Sequence, residues 1–261
     1  LISHEVPKSL FKSSLEFNDY DYALVHLFDK DPEYLTFYKE SVKQGRHVLL
    51  DNSIFELGTA YDNKSFAKWV EQLQPTEYIV PDALEDIHKT IQQMDEWNRN
   101  YITTPGKRIG VIQGKTPEEL IDCYKYMDEY AGVDKIAISF DYSLYEELVP
   151  HKNKYISWML GRATMLANMV EAGIINTKKP HHLLGCGLPQ EFGLYRDYDW
   201  IETIDTSNPI VHGIQGIKYE HCGLQTKESI KLVDLLNIEV TNEQLYDITH
   251  NINYFRGYVN G

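Results

Sequence analysis

The chain has 261 residues, of which 43% are hydrophobic, and it carries a formal net charge of −14. This length suits one domain with a sizeable core, and no apolar run approaches the roughly 20 residues of a membrane span. The acidic balance argues against broad, nonspecific nucleic-acid binding, which relies on Lys and Arg to neutralise phosphates. A local basic rim is compatible with it, and the candidates are Lys107 with Arg108, Lys152 with Lys154, and Lys178 with Lys179.

Short apolar runs alternate with helical patterns along the chain. The predicted strands are 23–28, 47–51, 77–82, 108–114, 135–140, 181–187 and 200–206, with an eighth within 211–219. Helices are predicted over 32–44, over 64–74 with Asn63 as cap, over about 84–99, from Thr116, over about 152–172, briefly from Pro189, and in much of 226–256. Apolar rather than alternating strands indicate parallel strands buried on both faces. Seven or eight such units favour the α/β class and a (β/α)8 TIM barrel, one domain over residues 1–261.

The N-terminal segment has neither the basic start nor the long apolar stretch of a signal peptide. The cysteines Cys123, Cys186 and Cys222 are far apart and odd in number. Both features favour a reduced, cytoplasmic setting over a disulfide framework.

Acidic residues stand where three predicted strands end: Asp51 after HVLL, Asp82 after EYIVP and Asp205 after WIETI. A lone Asp there is more often a cap or a turn residue. In a β/α barrel, however, the carboxyl ends of all strands open onto one face, so distant carboxylates can meet in one pocket. Converging carboxylates act in glycosyl chemistry as nucleophile and as general acid or base. The other residues predicted at this face are Asn52, Ser53, Phe55, Gln113, Gly114, Ser139, Asp141, Leu184, Gly185, Cys186 and Gly187.

Five segments resemble motifs of the tRNA-guanine transglycosylase superfamily, in the order that this family uses. They are LLDNSIFELG, YIVPD, GVIQG, HLLGCGLPQEF and IETIDTSNP, and together they run from about residue 47 to 209. The resemblance implies a pentosyltransferase in which Asp205 is the nucleophile and Asp51 the general acid/base. It further implies a base-binding set in which Asp82 and Gln113 hydrogen-bond the base, Phe55 and Leu184 sandwich it, and Gly185 lies beside it.

The chain departs from the family pattern at several places. Asn52 and Ser53 stand where the family has Gly-Gly, and Ser139-Phe140-Asp141 where it has Gly-Gly-Leu. The family's basic residues directly after the motif's proline are missing, because Pro209 leads to Ile210-Val211-His212. The family's zinc site needs three closely spaced Cys and a later His, whereas the C-terminal part has only Cys222 beside His221. We therefore expect no metal and no cofactor.

These departures favour a resemblance to the compact, zinc-free, phage-type 7-deazaguanine DNA transglycosylases. The expected partners are a polynucleotide, with DNA favoured over tRNA, and a free 7-deazaguanine base. The expected location is the cytoplasm, or the cytoplasm of the host cell if a phage encodes the chain. The resemblance also hints at a homodimer, an inference that the missing zinc region weakens.

Four alternatives stay open. One is a tRNA-guanine transglycosylase, and a second is a noncatalytic subunit that binds nucleic acid. A third is a base-excising hydrolase that uses the same carboxylates with water as acceptor. A metal-dependent hydrolase is disfavoured because His181 and His182 begin a predicted strand and His212 has no evident partner ligand.

Overall fold

A computed structural model of the protein describes residues 1–219 and 230–260. The chain forms two compact units. One comprises Leu1–Asp19, Phe140–Glu171 and Leu183–Gly261, and the other comprises Tyr20–Ser139 and Ala172–His182. We call them the Asp205 unit and the Asp82 unit, after the acidic residue that each one carries. The prediction of one domain over 1–261 stays a prediction.

Eight strands of the described chain form one sheet. They are β1 (Ile2–Ser3), β2 (Asp21–Leu24), β3 (Val48–Asp51), β4 (Glu77–Ile79), β5 (Lys107–Val111), β6 (Lys135–Ser139), β7 (His181–Leu184) and β8 (Ile201–Asp205). Their order is β1-β8-β7-β6-β5-β4-β3-β2, and the pairs from β2 to β6 and between β1 and β8 are parallel. This sequential order with intervening helices is the topology of a (β/α)8 barrel, and it confirms the predicted fold class.

Helices follow most of the strands. The α-helices are α1 (Phe11–Phe17), α2 (Val25–Phe28), α3 (Pro32–Lys43), α4 (Ile54–Leu57), α5 (Asn63–Leu73), α6 (Ile87–Asn100), α7 (Pro117–Glu129), α8 (Ser143–Leu148), α9 (Lys154–Glu171), α10 (Asn208–Ile214) and α11 (Asn242–Asn260). Short 3-10 helices cover Lys8–Leu10, Pro189–Leu194 and Leu232–Leu235. Within residues 1–219 and 230–260, no helix has the length and the apolar character needed to cross a membrane.

Side-chain caps fix where several helices begin. The Thr116 hydroxyl accepts a hydrogen bond from the Glu119 N–H ahead of Pro117, as predicted for α7. For α5 the predicted cap is wrong by one residue: Asp62, and not Asn63, accepts from the Ser65 N–H. An N-terminal helix turn presents free N–H groups that a carboxylate satisfies well.

The predicted eighth strand within 211–219 is wrong. Asn208–Ile214 is the helix α10, with a proline in its first turn. Gly213 lets this helix approach α11 closely, since a Cβ on Gly213 would stand 2.4 Å from Cγ1 of Ile248. The eighth strand is instead β1, which pairs with β8 through Ile2 and Ile204 and through Ser3 and Asp205.

Two other boundaries differ from the prediction. The first predicted strand, 23–28, ends at Leu24, and α2 follows directly. The helical region predicted over 226–256 contains the short 3-10 helix and α11, and its residues 226–229 lie outside the described part of the chain. Short elements such as α1, α2, α4 and α8 were not predicted.

An ion pair buried within the sheet joins β4 to β6. The Lys135 ammonium donates to Glu77 at 2.8 Å, and the His47 ring lies 2.8 Å from the same carboxylate. Burial alone would raise the pKa of Glu77, but the hydrogen bond with His47 and the charge of Lys135 outweigh it and hold the pKa at about 2. The ion pair therefore links β4 and β6, the two strands that flank β5 in the sheet.

We expect Lys135→Met to lower the free energy of unfolding by about 3–5 kcal/mol, because Glu77 would stay buried without its cation. In the wild type, the depressed pKa of Glu77 contributes about 3 kcal/mol, present above pH 4.5 and lost as the pH falls through 2. Urea denaturation at neutral and acidic pH measures both effects. Lys89→Met is the matched control, since Lys89 is largely exposed and pairs loosely with Asp86. A similar loss in the control would contradict the assignment.

Candidate active site

Asp51 is the last residue of β3, and both oxygens of its buried carboxylate accept hydrogen bonds. The Tyr22 hydroxyl donates to Oδ2 at 2.8 Å, and the Ser53 N–H donates to Oδ1 at 2.5 Å. Ser53 adopts a left-handed conformation with φ of 61°, which few non-glycine residues do. This turn brings the Ser53 N–H back toward the carboxylate, so Asp51 has a fixed orientation.

Asp82 follows β4, and two side-chain amides grip its carboxylate. The Asn52 Nδ2 donates to Oδ1 at 2.8 Å, and the Gln113 Nε2 donates to Oδ2 at 2.6 Å. Both amides are themselves anchored to backbone: Oδ1 of Asn52 accepts from the Ile54 N–H at 3.0 Å, and Oε1 of Gln113 accepts from the Glu85 N–H at 2.8 Å. The anchoring fixes which end of each amide faces Asp82, and we name these three residues the Asp82 clamp.

The Asp82 carboxyl group is 2% exposed and has no ion pair with a Lys, Arg or His among the described residues. Burial raises its pKa to about 6, against the opposing effect of the hydrogen bonds from Gln113 and Asn52. A buried carboxyl group that titrates near neutral pH is typical of a functional site. The nearby Cys123 thiol accepts from the Gln113 N–H, and burial raises its pKa to about 12, so it is a neutral packing group.

Exposed apolar side chains occur in the segments around the Asp82 clamp. Phe55, in α4, is 46% exposed, and Leu84, two residues after Asp82, is 41% exposed. Large apolar side chains at the surface are candidates for ligand contact. Phe55 is therefore accessible, and its role against a flat base stays a prediction.

Asp205 is the last residue of β8 and is also buried. Its Oδ1 accepts from the Gly185 N–H at 3.3 Å. Gly185 has a φ of 59°, and a Cβ there would stand 2.6 Å from Cδ1 of Phe140. Backbone conformation and close packing both require glycine at this position, and the resulting turn directs a backbone donor at the carboxylate.

A buried arginine supports the turn at Gly185. The guanidinium of Arg162, in α9, donates to the carbonyls of Leu184 at 3.0 Å and Gly185 at 2.9 Å. Its Nε donates to Glu191 at 2.5 Å, and the Tyr195 hydroxyl donates to the same oxygen at 2.7 Å. Burial would lower the pKa of Arg162, but the charge of Glu191 outweighs it and keeps the pKa above its ordinary value. We did not predict Arg162, although a lone charge in the apolar run WMLGRATMLA is a signal for it.

Backbone and side-chain contacts also join the segment after Asp205 to the turn after β7. The Asn208 side chain donates to the Gly187 carbonyl at 3.1 Å, and its N–H donates to the Thr206 hydroxyl at 3.0 Å. The Thr206 hydroxyl also lies 3.3 Å from the Cys186 thiol. The predicted residue Cys186 is thus part of a polar network within the Asp205 unit.

The structure sorts the predicted site residues into two groups. Asp82 and Gln113 contact each other in the Asp82 unit, which also holds Asp51 and Phe55. Asp205 and Gly185 contact each other in the Asp205 unit, which also holds Leu184.

One predicted glycine has a packing role. A Cβ on Gly114 would stand 2.8 Å from both Cβ of Glu119 and the N of Leu120. Gly114 therefore lets β5 lead closely into the first turn of α7, and this explains the glycine without a ligand.

Among residues 1–219 and 230–260, no group of three or more His, Cys, Asp and Glu side chains is arranged to hold a metal ion. Cys222 and His221, which were compared with the ligands of the family's zinc site, lie outside this part of the chain. The expectation of a metal-free protein stays a prediction.

No protein-family model matches this sequence, and no curated protein is significantly similar to it.

We expect Gly185→Ala to lower the free energy of unfolding by about 2–4 kcal/mol, because left-handed strain and the clash with Phe140 add together. Gly173→Ala is the matched control, since Gly173 has a φ of 66° but nothing within 4 Å of a new Cβ. It should cost only about 1 kcal/mol. Urea denaturation of both variants gives the difference, and equal losses would show that Phe140 does not restrict this position.

Proposed function

We propose that this protein is a base-exchange transglycosylase that replaces guanine in a polynucleotide, with DNA favoured, by a 7-deazaguanine. The observation that carries the proposal is the Asp82 clamp, a buried carboxyl group held by neutral amides and matched by no cation in the described chain. A scaffold carboxylate would gain more from an ion pair, whereas a carboxylate that reads a ligand must keep acceptor capacity for it.

The proposed base site builds on the clamp. Each carboxylate oxygen of Asp82 has lone pairs beyond the one that its amide uses, and these would accept from N–H groups on the edge of a purine. Gln113 retains one N–H, because its other N–H goes to Asp82 and its oxygen accepts from Glu85. Gln113 therefore holds Asp82 through one N–H, and its remaining N–H would donate a hydrogen bond to an acceptor on the base. The exposed ring of Phe55 would stack on the base.

The proposed reaction has two displacements. The target guanine leaves the base stack, and pocket contacts offset the few kcal/mol that this costs. Asp51 enters this step as the protonated carboxylic acid. The Asp205 carboxylate attacks C1′, the C1′–N9 bond breaks, and the departing N9 keeps the bonding electron pair and takes the proton of Asp51, which becomes a carboxylate. A covalent glycosyl–enzyme results.

In the second displacement, N9 of the 7-deazaguanine attacks C1′ and loses its proton to Asp51. The bond between C1′ and Asp205 breaks, and the carboxylate is released. Two inversions at C1′ give net retention. The hydroxyl of Tyr22 and the N–H of Ser53 would hold Asp51 in one orientation through both proton transfers.

The preference for DNA over tRNA is supported by α10. The family's basic residues would follow Pro209, where this chain has Ile210, Val211 and His212. All three are fully buried in α10, so this segment offers no charged surface to an anticodon arm. A polynucleotide partner would have to be held elsewhere.

We expect Asp205→Asn to reduce exchange of labelled guanine into an oligonucleotide by at least about 1,000-fold, the scale on which loss of a nucleophile acts. Asp51→Asn should reduce turnover by about 100- to 10,000-fold and largely spare base affinity. The control is Asp62→Asn, because Asp and Asn are equally good N-cap residues and α5 would therefore keep its cap. Undiminished exchange by Asp205→Asn would remove the covalent mechanism. Accumulation of an abasic product without added deazaguanine would instead identify a hydrolase.

Affinity for free 7-deazaguanine should depend on pH through Asp82. The carboxylate accepts hydrogen bonds only when ionised, so affinity should be constant above pH 7 and fall about tenfold for each pH unit below about 6. Asp82→Asn should weaken binding and abolish this dependence. Titration calorimetry from pH 5 to 8 measures it. A wild-type affinity that does not change with pH would place base recognition on other residues.

A further inference from the structure

The proposed function requires a surface that holds a polynucleotide, although the chain carries a net charge of −14. Two of the three candidate basic pairs stand at the start of a strand or just before one, and one residue of each pair has a partner. The Arg108 guanidinium, at the start of β5, donates to Asn98 and to the Gly132 carbonyl. Lys179, just before β7, pairs with Asp128 at 3.1 Å. The side chains of Arg108 and Lys179 are therefore held by contacts within the protein.

The third pair lies at the start of α9: Lys152 precedes this helix and Lys154 is its first residue. Both lysines are exposed, and neither has an ion pair in the described part of the chain. The Lys154 ammonium lies 4.8 Å from the ring centroid of Trp158 and 5.6 Å from that of Tyr155. This position is the one of the three where cations and aromatic rings occur together.

Three half-buried rings form a cluster beside these lysines: Phe140, Tyr155 and Trp158. The Trp158 ring packs edge-to-face against Phe140 at 5.4 Å and against Tyr155 at 5.6 Å. Its Nε1 donates to Glu146 at 3.0 Å, which fixes the indole by its polar edge. We call Phe140, Tyr155 and Trp158 the ring cluster.

The ring cluster borders the turn that supports Asp205. A Cβ on Gly185 would stand 2.6 Å from the Phe140 ring, and a Cβ on Gly187 would stand 3.0 Å from the Tyr155 ring. Gly185 is the residue whose N–H donates to Asp205. A strand that presents its C1′ to Asp205 would therefore bring its neighbouring nucleotides to the ring cluster.

We infer that the ring cluster, with Lys152 and Lys154, binds the single-stranded DNA segment next to the reacting nucleotide. This inference rests on the proposed function. Aromatic faces stack bases without regard to sequence, and lysines neutralise the phosphates between them. The Glu146 carboxylate, which accepts from Trp158, limits the local positive charge, so stacking contributes a large share of the affinity.

The test compares two double variants by fluorescence anisotropy with a labelled single-stranded DNA oligonucleotide over a range of salt concentrations. Lys152→Ala/Lys154→Ala should bind about tenfold more weakly, and its salt slope should fall by about 1.4, since each lost phosphate contact removes about 0.7. Lys107→Ala/Lys178→Ala removes the same charge and should leave both values unchanged. Trp158→Leu, checked for folding by circular dichroism, should lose about tenfold in affinity through stacking.

Three outcomes would overturn the inference: no loss in the Lys152/Lys154 variant, an equal loss in the control variant, or tighter binding of an RNA oligonucleotide of the same sequence. Exchange assays on the same proteins separate this question from the chemistry. Active exchange with DNA binding that does not depend on Lys152 and Lys154 would remove the surface and leave the transferase. Binding that depends on these lysines, without any exchange in the wild type, would remove the transferase and leave the surface.

Discussion

The cost of burying a charge is the constraint on which the rest of this structure depends. A carboxylate removed from water needs donors around it, and the kind of donor decides what the group can do. Glu77 begins β4 and Asp82 follows its end, so one short strand carries both solutions. Glu77 has a cation and a pKa of about 2, whereas Asp82 has two amides and a pKa of about 6.

The two solutions suit different tasks. Because its pKa is about 2, Glu77 stays ionised at every physiological pH, and its pairing with Lys135 is a fixed link between β4 and β6. The Asp82 clamp fixes the carboxylate in space and leaves its charge uncompensated, so a ligand that brings N–H donors would complete it. The Asp205 unit uses the first solution near a candidate site: Arg162 and Glu191 neutralise each other, and the arginine's remaining N–H groups hold the backbone beside Asp205.

Local sequence predicts those parts of the fold that local physics decides. The apolar runs at β3, β5 and β6 are buried along most of their length, and Asp51 and Asp205 end their strands as predicted. The strand β1 has only two residues, which is too few to show a pattern. Its partner β8 lies some 200 residues away, so no local signal indicates the pairing. The α10 segment has an apolar run that suits a strand or a buried helix equally, and only its packing on α11 decides between them.

The candidate site shows the same limit at the level of single residues. The pattern singles out Asp82 and Gln113 but not their mutual hydrogen bond, which joins residues after different strands. Asn52 stands where the resembling family has glycine, and its amide spends both N–H groups on the Val80 carbonyl and Asp82. A glycine would leave open space at that point, whereas the asparagine fills it and offers a ligand no free donor. Under the proposed function, recognition in this unit would use the open lone pairs of Asp82 and the remaining N–H of Gln113, so the protonation state of Asp82 would be the main variable of the site.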